Sequence, residues 1–77
     1  MSDRLIDLFA EEFDVQSDTL DDDSSPDTVE EWDSLAAVRL VATIEAEFSV
    51  RLSTSEIMKM RSIGLARAVL KSKGADV

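Results

Sequence analysis

From Ser34 to Phe48 the chain runs fifteen residues without a glycine or proline, and most of these residues are good helix formers. The spacing predicts an α-helix over about this span, with Asp33 and Ser34 supplying its cap. At 100° per residue, Ala37, Val41, Ile44 and Phe48 fall on one side, flanked by Val38 and Leu40, and are expected to face a core. Ala36, Arg39, Thr43 and Glu47 share the opposite side and are expected to face water. Leu35, Ala42 and Ala46 lie between the two, an apolar flank that starts beside Ser34. That flank is either packed or an exposed docking strip.

The other segments suit the same class of fold. A first helix is expected from about residue 3 to 13, with Ser2 as its cap and Asp3 in its first turn. Leu5, Leu8, Phe9 and Phe13 recur as one buried stripe, and Asp7, Glu11 and Glu12 take the wet side. Residues 14–33 have no helical period, and they contain the turn and cap formers Asp21-Asp22-Asp23-Ser24-Ser25-Pro26-Asp27. Val15, Leu20, Val29 and Trp32 are spaced to pin this connection to a core, and one helical turn after Pro26 is allowed. After a break at Ser49–Leu52, Ser53-Thr54-Ser55-Glu56 has capping-box spacing and opens a short helix through Ile57, Met58 and Met60. Ser62 is expected to cap a last helix carrying Ile63, Ala66, Val69 and Leu70, with Lys71 and Lys73 at its C-terminal end and Gly74 closing it. The fold class is therefore all-α, a small four-helix bundle with a long loop between helices one and two and a short third helix. Residues 1–77 read as one domain, too small for more than one simple core.

Charge and residue usage narrow the function. Seventeen Asp and Glu face eight Lys and Arg, a formal net charge of −9. Such a surface repels nucleic acid and anionic lipid and favours protein partners with basic patches. With no Cys and no His, the chain lacks a thiol nucleophile, a thiolate metal site and the commonest general base. Met1-Ser2-Asp3-Arg4 resembles neither a secretory signal nor a transit peptide, and no apolar run reaches membrane-spanning length. A cytoplasmic monomer is expected. The acidic run from Asp21 does not make a calcium loop, because the glycine and glutamate places hold Pro26 and Trp32. No metal ligand set is assigned.

One serine stands out. Trp32-Asp33-Ser34-Leu35 puts a hydroxyl at the start of the long helix, behind an acidic loop. A phosphodiester on that hydroxyl would meet unpaired N–H groups and the positive end of the helix dipole. The same residues are equally an ordinary N-cap, and on Asp-Ser alone the cap is the commoner reading. Trp32 is expected to pack on the bundle and anchor the loop.

The longer stretch resembles the acyl carrier protein family. Asp33-Ser34-Leu35 stands where that family has its Asp-Ser-Leu signature. Val38, Leu40, Val41 and Ile44 follow at its apolar positions, and Glu45-Ala46-Glu47-Phe48 is similar to its Glu-Glu-Glu-Phe ending. Val50-Arg51-Leu52 fills the place of its apolar link, and Ser62-Ile63-Gly64 resembles the Thr-Val-Gly that begins its fourth helix. The resemblance covers nearly the whole chain.

It implies a carrier that is not itself an enzyme. A phosphopantetheinyl transferase, using magnesium and coenzyme A, would attach 4′-phosphopantetheine covalently to Ser34, and the arm's thiol would hold acyl or aminoacyl cargo as a thioester. Asp33 and Leu35 would flank that site, with Asp33 also meeting the transferase and its metal. Acyl- or aminoacyl-loading and condensing enzymes would be the further partners, docking on Leu35, Arg39 and Ala42. Many fatty-acid carriers are acidic on the exposed side of helix two, where this chain has Ala36 and Arg39. That departure suggests a dedicated carrier of a polyketide-like or aminoacyl-like pathway. Val38, Ile44, Ile57 and Met58 are candidates for an inducible cargo pocket, although core packing is the expectation for each of them and for Met60. The alternative is an unmodified acidic helical adaptor for a basic protein, with Ser34 only a cap.

Overall fold

Each of the four helices begins on a side chain whose oxygen accepts a backbone N–H, which satisfies one of the donors that a helix start leaves open. In the computed structural model, which describes residues 3–77, α1 spans Arg4–Phe13, α2 Ser34–Phe48, α3 Thr54–Lys59 and α4 Ile63–Ser72. Asp3 caps α1 by accepting from Leu5 and Ile6, at 3.1 and 3.2 Å. Asp3 thus takes the role expected of Ser2, which lies outside the described residues. Ser53 and Glu56 close the expected capping box on α3, and Ser62 accepts from the Leu65 N–H at 3.1 Å. Gly74, at φ +87°, ends α4. Its N–H bonds to the Lys71 carbonyl and that of Ala75 to the Leu70 carbonyl, each at 3.0 Å, the paired closure that a left-handed residue permits.

The core is drawn from three helices. Leu5 and Phe9 of α1, Ile44 of α2, and Ile63 and Leu70 of α4 are fully buried, each worth about 1.5–3 kcal/mol of burial. α1 packs on both α2 and α4, and α3 packs on α4. The predicted α1 stripe is buried throughout, while Glu11 is exposed and Asp7 and Glu12 are half-buried. The arrangement matches the predicted four-helix class.

The long connection is held at both ends of its acidic run. Leu20, Val29 and Trp32 are buried and Val15 is half-buried, as their spacing predicts. A 3₁₀ turn at Ser17–Thr19 was not expected. After Pro26 the chain makes a single turn, closed by the Val29 N–H on the Ser25 carbonyl at 2.8 Å. The Ile63 N–H donates to the Ser24 carbonyl at 3.0 Å and the Gly64 N–H to the Asp22 carbonyl at 2.9 Å. Arg67 then bridges Asp3 at 2.7 Å and Asp22 at 2.8 Å. That guanidinium is the main reason the Asp3 carboxyl sits below its ordinary value.

The face of α2 corrects the sequence reading. Ala36, Leu40 and Ile44 are buried, Ala37, Val41 and Phe48 are half-buried, and Val38 is 68% exposed. The buried side is therefore turned from the predicted one by less than one residue's step of about 100°. Ala36 belongs to the core and Val38 to the surface. Apolar residues surround this helix almost completely, so periodicity alone set its phase loosely, and packing against α1 fixed it.

Candidate functional site

Trp32 fixes the approach to the site. Its ring is buried and lies edge-on to Phe9 with centroids 5.3 Å apart, and it packs at 5.4 Å on Phe13. This anchors the last loop residues to α1, and the chain leaves that anchor for the surface at once. Asp33 is extended and exposed, and its Oδ1 accepts the Ala36 N–H at 2.8 Å while its carbonyl accepts the Ala37 N–H at 2.9 Å. Asp33 is the whole cap of α2.

Ser34 is consequently left free. It is the first residue of the helix proper and is exposed. Its hydroxyl makes no hydrogen bond among the described residues, and neither its N–H nor that of Leu35 meets a protein acceptor there. The expectation that Ser34 shares the cap with Asp33 is corrected, because one carboxylate supplies it alone. The site thus offers an accessible oxygen, two unpaired donors and the positive end of a fifteen-residue helix. A phosphodiester on Ser34 Oγ fits this environment, with the dipole favouring its charge by about 0.3–1 kcal/mol. No side chain among the described residues is hydrogen-bonded to that oxygen.

The α2 surface beside Ser34 is largely apolar and open. Leu35 is 64% exposed, and Val38, Ala42 and Arg39 are exposed on the same half of α2. These are the three predicted docking residues together with one, Val38, that the sequence reading placed in the core. The α2–α3 link returns along this side, since the Leu52 N–H donates to Glu45 Oε2 at 2.9 Å. Glu45 lies about 20° around the helix from Ser34 and about 16 Å along its axis. On α3, Met58 is 70% and Ile57 38% exposed, whereas Met60 and Ile44 are buried. Core packing therefore holds for two of the five residues it was expected for.

A groove of about 650 Å³ between α1 and α2 is lined by Arg4, Asp7, Glu12, Thr43 and Glu47 among others. It lies across α2 from Ser34 and has no part in the site. No group of three or more acidic residues among those described is placed to hold a metal ion, and no described helix is long and apolar enough to cross a membrane.

Comparison with known proteins bears on this geometry. A family model described as a phosphopantetheine attachment site matches residues 3–68, a span that includes Ser34. No curated protein matches the chain. Among solved structures, the holo acyl carrier protein from Geobacter metallireducens, determined by solution NMR, superposes with a TM-score of 0.82 at 24% identity, over 91% of this chain and 80% of that one. At that identity the likeness is one of fold.

Proposed function

The chain belongs to the phosphopantetheine-attachment family, carrier domains that bear covalent 4′-phosphopantetheine and are used by partner enzymes, and from that premise we propose that Ser34 takes the arm. The observation that carries the proposal is the free hydroxyl: Asp33 alone caps α2, so modifying Ser34 Oγ costs the fold no hydrogen bond. In the attachment step Ser34 Oγ forms a bond to the phosphorus bearing pantetheine. The P–O bond of the coenzyme A pyrophosphate breaks, the adenosine bisphosphate half leaves with the transferase's magnesium, and the hydroxyl proton passes to a base of the transferase. The Ser34 and Leu35 N–H groups face the new phosphodiester, and Asp33 holds the helix start in place and meets the transferase. When attached, the arm supplies the thiol on which cargo rides as a thioester.

The rest of the reading concerns partners. Leu35, Arg39 and Ala42 form the docking edge for the loading and condensing enzymes, and their exposure supports this role. Exposed Arg39 favours a dedicated carrier, handling acyl or aminoacyl cargo in a specialised pathway, over a general fatty-acid carrier. Ala36 no longer contributes to that argument, being buried.

The test is intact mass after incubation with coenzyme A, magnesium and a broad-specificity phosphopantetheinyl transferase. The native chain is expected to gain one phosphopantetheine. A folded, helical native chain that gains nothing would leave the adaptor reading in its place.

A further inference from the structure

Nothing in Ser34 itself fixes where its oxygen stands. Its hydroxyl is unbonded, and its N–H and that of Leu35 meet no acceptor among the described residues. Its neighbours are exposed as well: of residues 30–35, only Trp32 is buried, at 6% exposure. Asp33 bonds forward, to the Ala36 and Ala37 N–H groups of the helix it caps. That cap ties Ser34 to α2, but it does not tie the entrance of α2 to the rest of the protein. The next buried residue along the helix is Ala36, which has a single methyl group to anchor with.

Trp32 is held from two directions. Its N–H donates to the Val29 carbonyl at 3.0 Å, closing a turn whose other end, Val29, is also buried. Its ring meets Phe9 edge-on at 5.3 Å and Phe13 at 5.4 Å, and those two rings meet each other edge-on at 5.9 Å. Each ring of the trio therefore packs on the other two, at the separations and tilts that aromatic pairs prefer. Phe9 and Phe13 stand one turn apart on α1, so the trio joins the C-terminal half of α1 to the entrance of α2. Trp32 and Ser34 are two residues apart, within about 7 Å between Cα atoms, and a ring that shifts carries the serine with it. Displacement at phosphorus needs the attacking oxygen in line with the leaving group, and a misplacement of about 1 Å costs up to about a hundredfold in rate.

Resting on the reading of Ser34 as the arm-bearing residue, we propose that Trp32 is a positioning residue for arm attachment, acting with Phe9 and Phe13 to hold Ser34 Oγ where the incoming phosphorus meets it. Being buried, the three rings act through the backbone from Trp32 to Ser34, without touching coenzyme A.

The test is steady-state attachment to the full chain with coenzyme A, magnesium and the broad-specificity transferase, each variant compared at equal folded fraction. Trp32→Leu keeps an apolar side chain but loses both ring contacts. Its kcat is expected to fall about tenfold with the KM for coenzyme A unchanged, and Trp32→Phe should recover most of the loss. Phe13→Leu is the milder change, and it carries the test if Trp32→Leu does not fold; it should lower kcat about threefold. Leu70→Ala, which hollows the core at α4 instead, should accept the arm at the native rate. Amide exchange reads the same device without the transferase. The Ala36 and Ala37 N–H groups, whose acceptors belong to Asp33, should exchange about tenfold faster in Trp32→Leu, while Leu65 and Ala66 at the start of α4 keep their native rates. A native kcat in the ring variants, an equal slowing in Leu70→Ala, or exchange that rises equally at both helix starts overturns the proposal. Failure of the carrier reading shows separately, as a native chain that gains no arm.

Discussion

α2 and α4 start from similar sequences and end in opposite conditions. Each begins with a serine beside the first turn, and each has four leading N–H groups to satisfy. At α4 all four are taken: Ile63 by the Ser24 carbonyl, Gly64 by the Asp22 carbonyl, Leu65 by Ser62 Oγ and Ala66 by the Ser62 carbonyl. At α2 only the third and fourth are, both by Asp33, and Ser34 stands clear of the cap. A difference of one position in where the capping residue sits separates an engaged serine from a free one. A serine that is the cap is engaged, and a serine that follows an aspartate cap is available.

The sharpest way to break the comparison is to remove what holds the open start in place. Trp32→Ala deletes a buried ring packed on Phe9 and Phe13 and should cost about 3–5 kcal/mol, a large part of a small domain's stability, read as a fall in the urea midpoint. If the midpoint hardly moved, Trp32 would not be the anchor. Next comes the closed start. A Cβ at Gly64 would meet the Asp22 carbonyl oxygen at 3.1 Å and its Cβ at 3.2 Å, and Arg67 keeps Asp22 from giving way. Gly64→Val should therefore cost about 1–3 kcal/mol through overpacking, with the arm still attached.

The two serines themselves sharpen it further. Ser62→Ala loses a cap and should cost about 1 kcal/mol, while Ser34→Ala should stay within about 0.5 kcal/mol of native, as an exposed residue without partners does. Equal losses in denaturant titrations would erase the distinction. A further small effect is at the α1–loop–α4 clamp. The Arg67 guanidinium, then the Ile6 and Leu5 N–H groups, hold Asp3 below its ordinary value of 3.8, against the opposing effect of burial. A depressed carboxylate contributes stability that is full above that value and is lost as pH falls below it. The pair is partly exposed, so the contribution is of order 1 kcal/mol or less. Arg67→Gln should flatten this acid limb in thermal melts taken from pH 5 downward, and an unchanged limb would remove Asp3 as its source.

What sequence alone revealed follows the range of each interaction. The capping box of Ser53 and Glu56, the Ser62 cap and the Gly74 stop are local devices, spanning three or four residues, and each stands where it was predicted. The phase of α2 depends on its neighbours, and a helix apolar nearly all round does not declare it. Arg67 reaches Asp3 and Asp22 across 64 and 45 residues, and no local pattern marks such a clamp. The close approach behind Gly64 is equally non-local. At the candidate site the signature singled out Ser34, and the geometry added that Asp33 caps α2 without it.

The measurement that bears most directly on this account is site localisation of the arm by tandem mass spectrometry of the transferase-treated native chain. All of the phosphopantetheine is expected on Ser34 and none on Ser62 or any other serine. An arm found on another serine, or one that persists in the Ser34→Ala chain, would contradict the claim that the open start of α2 is the attachment site.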